Sequence, residues 1–239
     1  MLIIFGLNLD VLISLIATVI SLILNISPIT LFIKIYKGSE KYEIVPESML
    51  ILNIICGELW FCYWLVLNKF VPMLSGGLGM LISIIFGIIY LYYFSNKKIF
   101  NWLINSFFLI YLVYILYYIF YKYNNNPDLT GKLATFINII TFISPGQNVI
   151  YVIQTGKYNF IPIYTTFFGV ICCIFWLIYG LIVWDFNCII TNFFGLIFTV
   201  FNTSIWVIYY LKSFGKIDLN SKEKNFNKLK YNIEEFYLN

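Results

Sequence analysis

Hydrophobic positions in this chain run in long uncharged blocks rather than in alternating or amphipathic stripes. Seven blocks, 11–33, 46–67, 71–94, 101–121, 133–153, 161–183 and 187–211, match the roughly 20 apolar residues that a helix needs to cross the hydrocarbon core of a bilayer. They predict an all-α integral membrane protein of seven transmembrane helices. The first block begins almost at Met1 without a basic segment before it or a small-residue cleavage site after it, so it reads as a retained helix and not a signal peptide. From Lys212 onward Lys, Asn and Glu alternate with little apolar content, which predicts a solvated, flexible tail over 213–239.

Polar punctuation between the blocks sets the orientation. Lys34, Lys37, Lys41, Lys97, Lys98, Lys157 and the six lysines from Lys212 on fall on one side, against Lys69, Lys122 and Lys132 on the other. Cytoplasmic loops hold the excess of basic residues, so the C-terminus is expected in the cytoplasm and the N-terminus outside or in a lumen. Asp185 then lies in a short external loop.

Self-similarity adds architecture. Ser27-Pro28 near the end of the first block recurs 117 positions later as Ser144-Pro145, and Pro46 recurs 116 positions later as Pro162. The register persists through Trp60 and Trp176, Tyr63 and Tyr179, and Gly79 and Gly195. Two three-helix units, 10–95 and 132–212, are therefore expected to be joined by a single linker helix over 100–122. The odd helix makes both units run the same way across the membrane. Parallel repeats of this kind are known in transporters.

Composition narrows the function. Apolar residues make up 61% of the 239 and charged residues only 11%, against roughly 25% charged in soluble domains. Histidine is absent, which excludes histidine triads, histidine metal sites and a histidine pH switch. No Gly-x-x-x-x-Gly-Lys phosphate loop occurs, which argues against a pump. Cys56, Cys62, Cys172, Cys173 and Cys188 lie in or beside apolar blocks and read as small buried hydrophobes. The sequons at Asn25 and Asn202 lie within spans, where glycosylation cannot reach them. No enzyme, cofactor, metal or nucleic-acid partner is expected.

The fragments SPITLFIKIYKGSEKYEIVP, Leu52-Asn53 and GGLG, followed by ISPGQNVIYVIQTGKYNFIP, FWLIYGLIVWD and TNFFG, resemble in order and spacing those of the SWEET sugar transporters. The resemblance covers nearly all of residues 10–212. It implies a bidirectional uniporter of mono- or disaccharides working by alternating access, in the plasma membrane or an endomembrane, assembled as a homo-oligomer. It further implies hinges at Pro28, Pro46, Pro145 and Pro162, and an external gate at Asp185 and the Tyr63 region. Trp176 matches the family's sugar-stacking tryptophan, with Trp60 as its counterpart in the first unit, and Asn192 matches a sugar-binding asparagine. The family's second asparagine is replaced by Gly76, preceded by Ser75, and the proline before Asn192 is replaced by Thr191.

Glu58 stands outside the family pattern. An ionisable group within a span is a functional candidate by default, so it is a candidate proton site. The alternative is a protonated or Tyr-bonded side chain in a wet cavity, or one reaching toward Lys69. Two further readings stay open: a proton-coupled PQ-loop carrier of an amino acid or other small solute, although Gln147 follows Gly146 and not Pro145 directly, and a seven-helix receptor.

Overall fold

The computed structural model describes residues 3–4, 7–38, 47–94, 114 and 127–238. Two antiparallel two-residue strands, β1 (Ile3–Ile4) and β2 (Leu7–Asn8), lead into the helices. These are α1 (Leu9–Ile26), α2 (Ile29–Tyr36), α3 (Glu47–Val66), α4 (Phe70–Phe94), α5 (Pro127–Ile143), α6 (Gly146–Thr155), α7 (Ile163–Val183) and α8 (Phe186–Leu238). A 3-10 turn at Tyr158–Phe160 separates α6 from α7.

Among the described residues six stretches are long and apolar enough to cross a membrane: Leu9–Ile26, Met49–Val66, Phe70–Tyr90, Pro127–Thr155, Ile163–Val183 and Phe186–Phe214. Apart from Tyr114, the expected seventh span, the linker helix, lies outside the described residues, as does Pro46. Polarity is arranged for lipid. Large apolar side chains such as Leu15, Val19, Ile85, Ile88, Phe167 and Phe201 point outward, while Ser14, Thr18, Ser21, Ser75, Thr191, Asn192 and Asn202 are buried. A helix in hydrocarbon satisfies its own backbone, so burial is left for the side-chain polar groups that hydrocarbon would leave unpaired. The chain is a multi-pass membrane protein.

Prolines shape the first and fifth blocks, which are not continuous helices. Pro28 has no N–H to give the Leu24 carbonyl one turn back. The Ser27 hydroxyl takes that acceptor at 2.7 Å, and α2 resumes with Phe32 N–H bonded to the Pro28 carbonyl at 3.1 Å. Ser27 also meets Thr165 of α7 at 2.8 Å. The break at Ser144-Pro145 between α5 and α6 lacks this support, and the Ser144 hydroxyl is buried without a partner. Pro162 sits before the first turn of α7, at a helix start and not within a helix.

The packing repeats. α4 packs between α1 and α3, and α8 packs between α5 and α7. Between the two sets, α1 packs on α7 and α3 on α5. Helices α3 and α7 end alike: Asn68 and Trp184 both adopt positive φ, 53° and 54°, and the next amide reaches back to Trp64 or Gly180, at 3.0 and 2.9 Å. Bulky residues adopt this conformation at a cost of about 1–2 kcal/mol, and at Trp184 it delivers Asp185 to the start of α8. Beyond the last apolar block α8 continues to Leu238, where the sequence predicts an irregular tail. Helix propensity from Lys, Glu and Leu extends an already nucleated helix one hydrogen bond per residue.

Candidate functional site

Where the two sets of helices meet lies a cavity of about 190 Å³. Trp60, Trp176, Asn192, Ser75 and Gly76 all line it, so the structure brings together every residue the sequence assigned to the substrate. The sequence reading missed Ser21, Asn25, Asn53 and Asn138, which also line it. Polar residues inside apolar runs were the available signal.

Trp176 is fixed by its neighbours. Its indole N–H donates to Ser21 Oγ at 2.8 Å, Ser21 donates to the Ala17 carbonyl, and the ring stands edge-on to Tyr179. Trp60 instead packs on Trp64 and Tyr63, and its indole nitrogen is buried without a hydrogen bond. The Asn192 amide NH2 donates to the Cys188 carbonyl one turn earlier, at 2.8 Å. That bond fixes the side chain and leaves the amide oxygen as its acceptor for a ligand.

Gly76 is explained by the crossing of α3 and α4. A Cβ there would lie 2.7 Å from the Phe61 nitrogen and 3.0 Å from the Gly57 carbonyl. Backbone faces backbone at this point, so an asparagine requires the two helices to move apart.

Beside the cavity, Tyr63 packs in one buried cluster with Trp176 and Cys188, which line it. The Tyr63 hydroxyl donates to Asp185 Oδ2 at 2.6 Å, the Asn187 amide donates to the Tyr63 oxygen at 3.3 Å, and Asp185 Oδ1 accepts the Cys188 N–H at 2.8 Å. One carboxylate thus caps α8 and ties α3 to it. Helix α5 presses on the same cluster: a Cβ on Gly131 would lie 2.7 Å from the Tyr63 ring and also collide with Asn187. Leu24, Asn25, Asn53, Thr141 and Phe142 line both this cavity and a second one of about 150 Å³, which Pro28, Pro145 and Pro162 also line.

Glu58 is not part of this wall. It lies two residues before Trp60, about 200° around the helix, and its Oε2 is buried without a partner. Lys69 pairs with Asp10 at 3.9 Å and not with Glu58. The five cysteines are free and buried, and no cluster of potential metal ligands occurs among the described residues.

A multi-pass helical bundle whose central cavity is flanked by tryptophans and carries Asn25, Asn53, Asn138 and Asn192 in a largely apolar wall fits a protein of the membrane-carrier class. The comparisons identify which kind. The family MtN3_slv, described as "Sugar efflux transporter for intercellular exchange", matches residues 11–98 and 128–213, and the chain belongs to that family.

Similar curated proteins include the bidirectional sugar transporter SWEET12 of Oryza sativa subsp. japonica, 22% identical and aligned over 82% of this chain and 67% of that protein. The bidirectional sugar transporter NEC1 of Petunia hybrida is 25% identical over 84% of this chain and 77% of its own. SWEET1 of Arabidopsis thaliana, also described as a bidirectional sugar transporter, is 25% identical over 79% of this chain and 78% of its own. The fold matches the 3.7 Å structure of a eukaryotic SWEET transporter with a TM-score of 0.70 and 22% identity, covering 84% of this chain and 96% of that one.

Proposed function

We propose that the chain is a bidirectional facilitative sugar transporter, a uniporter of mono- or disaccharides that works by alternating access. The observation that carries this reading is the central cavity, lined by two tryptophans and Asn192 with the Tyr63–Asp185 bond beside it, in a member of a sugar-transporter family. Sugar rings pack their C–H faces on aromatic planes, and their hydroxyls both donate to and accept from amides.

Two parallel three-helix units, with the linker helix over 100–122 between them, rock about the site. Pro28, Pro46, Pro145 and Pro162 serve as hinges, and the Tyr63–Asp185 closure is the external gate. The N-terminus then lies outside or in the lumen and the C-terminus in the cytoplasm, and the carrier works in the plasma membrane or an endomembrane as a homo-oligomer. The position of Glu58 away from the cavity favours uniport over proton coupling. Purified protein in liposomes tests the reading: labelled glucose or sucrose equilibrates across the bilayer, and a protein that exchanges neither in either direction is not this carrier.

A further inference from the structure

The second cavity, of about 150 Å³ against about 190 Å³ for the central one, holds hydrogen-bonding groups that the protein itself does not use. Asn25 of α1, Asn53 of α3, Asn148 of α6 and Asn202 of α8 all line it, and Asn202 is only 6% exposed. None of these four side-chain amides makes a hydrogen bond among the described residues. The hydroxyls of the same wall behave differently: Thr166 and Thr199 donate to carbonyls of their own helices, and Thr165 pairs with Ser27. The amides of Asn187 and Asn192 are likewise held by protein partners.

Buried polar groups without a protein partner call for an explanation, and a cavity beside them supplies one in a ligand. The repeat indicates its chemistry. Asn25 corresponds to Phe142 at the offset of 117, and Asn202 to Phe86 at the offset of 116, and both rings line the same cavity. Where one half offers an amide, the other offers an aromatic ring. Amides donate to and accept from hydroxyls, and rings pack on C–H faces, which is the combination that Asn192 and the tryptophans present in the central cavity. An apolar ligand would leave the amides unpaired. A charged one would meet no counter-charge, since no ionisable side chain lines this cavity among the described residues.

We propose that the second cavity is a second sugar-binding site in series with the central one, in which Asn202 and Asn148 hydrogen-bond the sugar hydroxyls and Phe86 and Phe142 pack on its ring. This rests on the reading of the chain as a sugar carrier. Asn25 and Asn53 line both cavities and serve whichever is filled, so a sugar moves between the two sites without losing all its hydrogen bonds at once. Pro28, Pro145 and Pro162 belong to the same wall, which puts the second sugar on the side where the helices break.

The test titrates full-length protein in nanodiscs with labelled glucose and, in parallel, labelled sucrose. The unsubstituted protein binds two molecules of the sugar it exchanges per chain. Asn202→Leu keeps a side chain of similar size and removes the amide. It weakens one of the two sites about tenfold, the size expected for one lost buried hydrogen bond. The other site is unchanged, and its filling alters tryptophan fluorescence, because tryptophans line the central cavity and not the second. Trp176→Ala does the converse: one molecule still binds, and adding Asn202→Leu weakens that one. A single molecule per chain in the unsubstituted protein overturns the proposal, as does undiminished binding of two by Asn202→Leu. If Asn202→Leu does not fold, Asn148→Leu decides on the same criterion. Neither binding nor exchange of either sugar would strike the sugar reading and the proposal together, whereas normal exchange with one binding site strikes the proposal alone.

Discussion

Asp185 shows how one side chain serves local structure and function together. Its Oδ1 caps α8 through the Cys188 N–H and its Oδ2 receives Tyr63. Asparagine is as good a cap as aspartate, but it is a weaker acceptor for a phenol. Asp185→Asn is therefore expected to keep the thermal midpoint of the purified protein close to the unsubstituted value while shifting labelling of the cavity toward the Asp185 end. Asp185→Ala loses the cap as well, and its stability falls by about 1 kcal/mol, read as a lower midpoint. Equal midpoints for the two variants would mean that the cap contributes nothing. Trp176 gives the second expectation at this scale. Its ring faces the cavity while Ser21 holds its edge, so Trp176→Ala abolishes sugar exchange with membrane insertion near normal. Retained flux would remove the stacking role.

Among elements, the broken helices α1–α2 and α5–α6 are the parts built to bend, and they are not equally supported. The Ser27 hydroxyl occupies the Leu24 carbonyl freed by Pro28 and reaches Thr165, whereas the Ser144 hydroxyl makes no bond. The position equivalent to Thr165 in the first half is Met49, which offers no hydroxyl. The α5–α6 break is thus the looser of the two. Pro145→Ala restores a backbone donor to this break and stiffens it. Exchange is expected to slow severalfold while equilibrium sugar binding stays within about twofold, since the substitution leaves the cavity wall in place. Equal losses in both measurements would indicate misfolding instead of a hinge.

Across the whole molecule the question is energy coupling. Glu58 lies off the cavity wall with its Oε2 unpaired, which supports the proposed uniport, in which substrate alone supplies the driving force. Flux is expected to be symmetric, accelerated by unlabelled sugar on the far side, and unable to accumulate sugar under an imposed proton gradient. Accumulation that disappears in Glu58→Gln would reverse this conclusion. By itself the sequence determined the six spans that the described residues show, and it carries the internal repeat. Lipid demands long uncharged runs, and a duplicated unit carries Trp, Tyr and Gly at one offset, with Ser-Pro one residue off it. It also placed Trp60, Trp176 and Asn192, because each sits at a motif position. What only the tertiary structure decided is which faces meet. The Gly57–Gly76 crossing excludes an asparagine, the face of α3 bearing Glu58 turns from the cavity, and Asn138 joins Trp60 from a distant helix. Periodicity along a uniformly apolar helix cannot announce these relations, since in hydrocarbon no side of the helix is marked as the inner one until another helix packs against it.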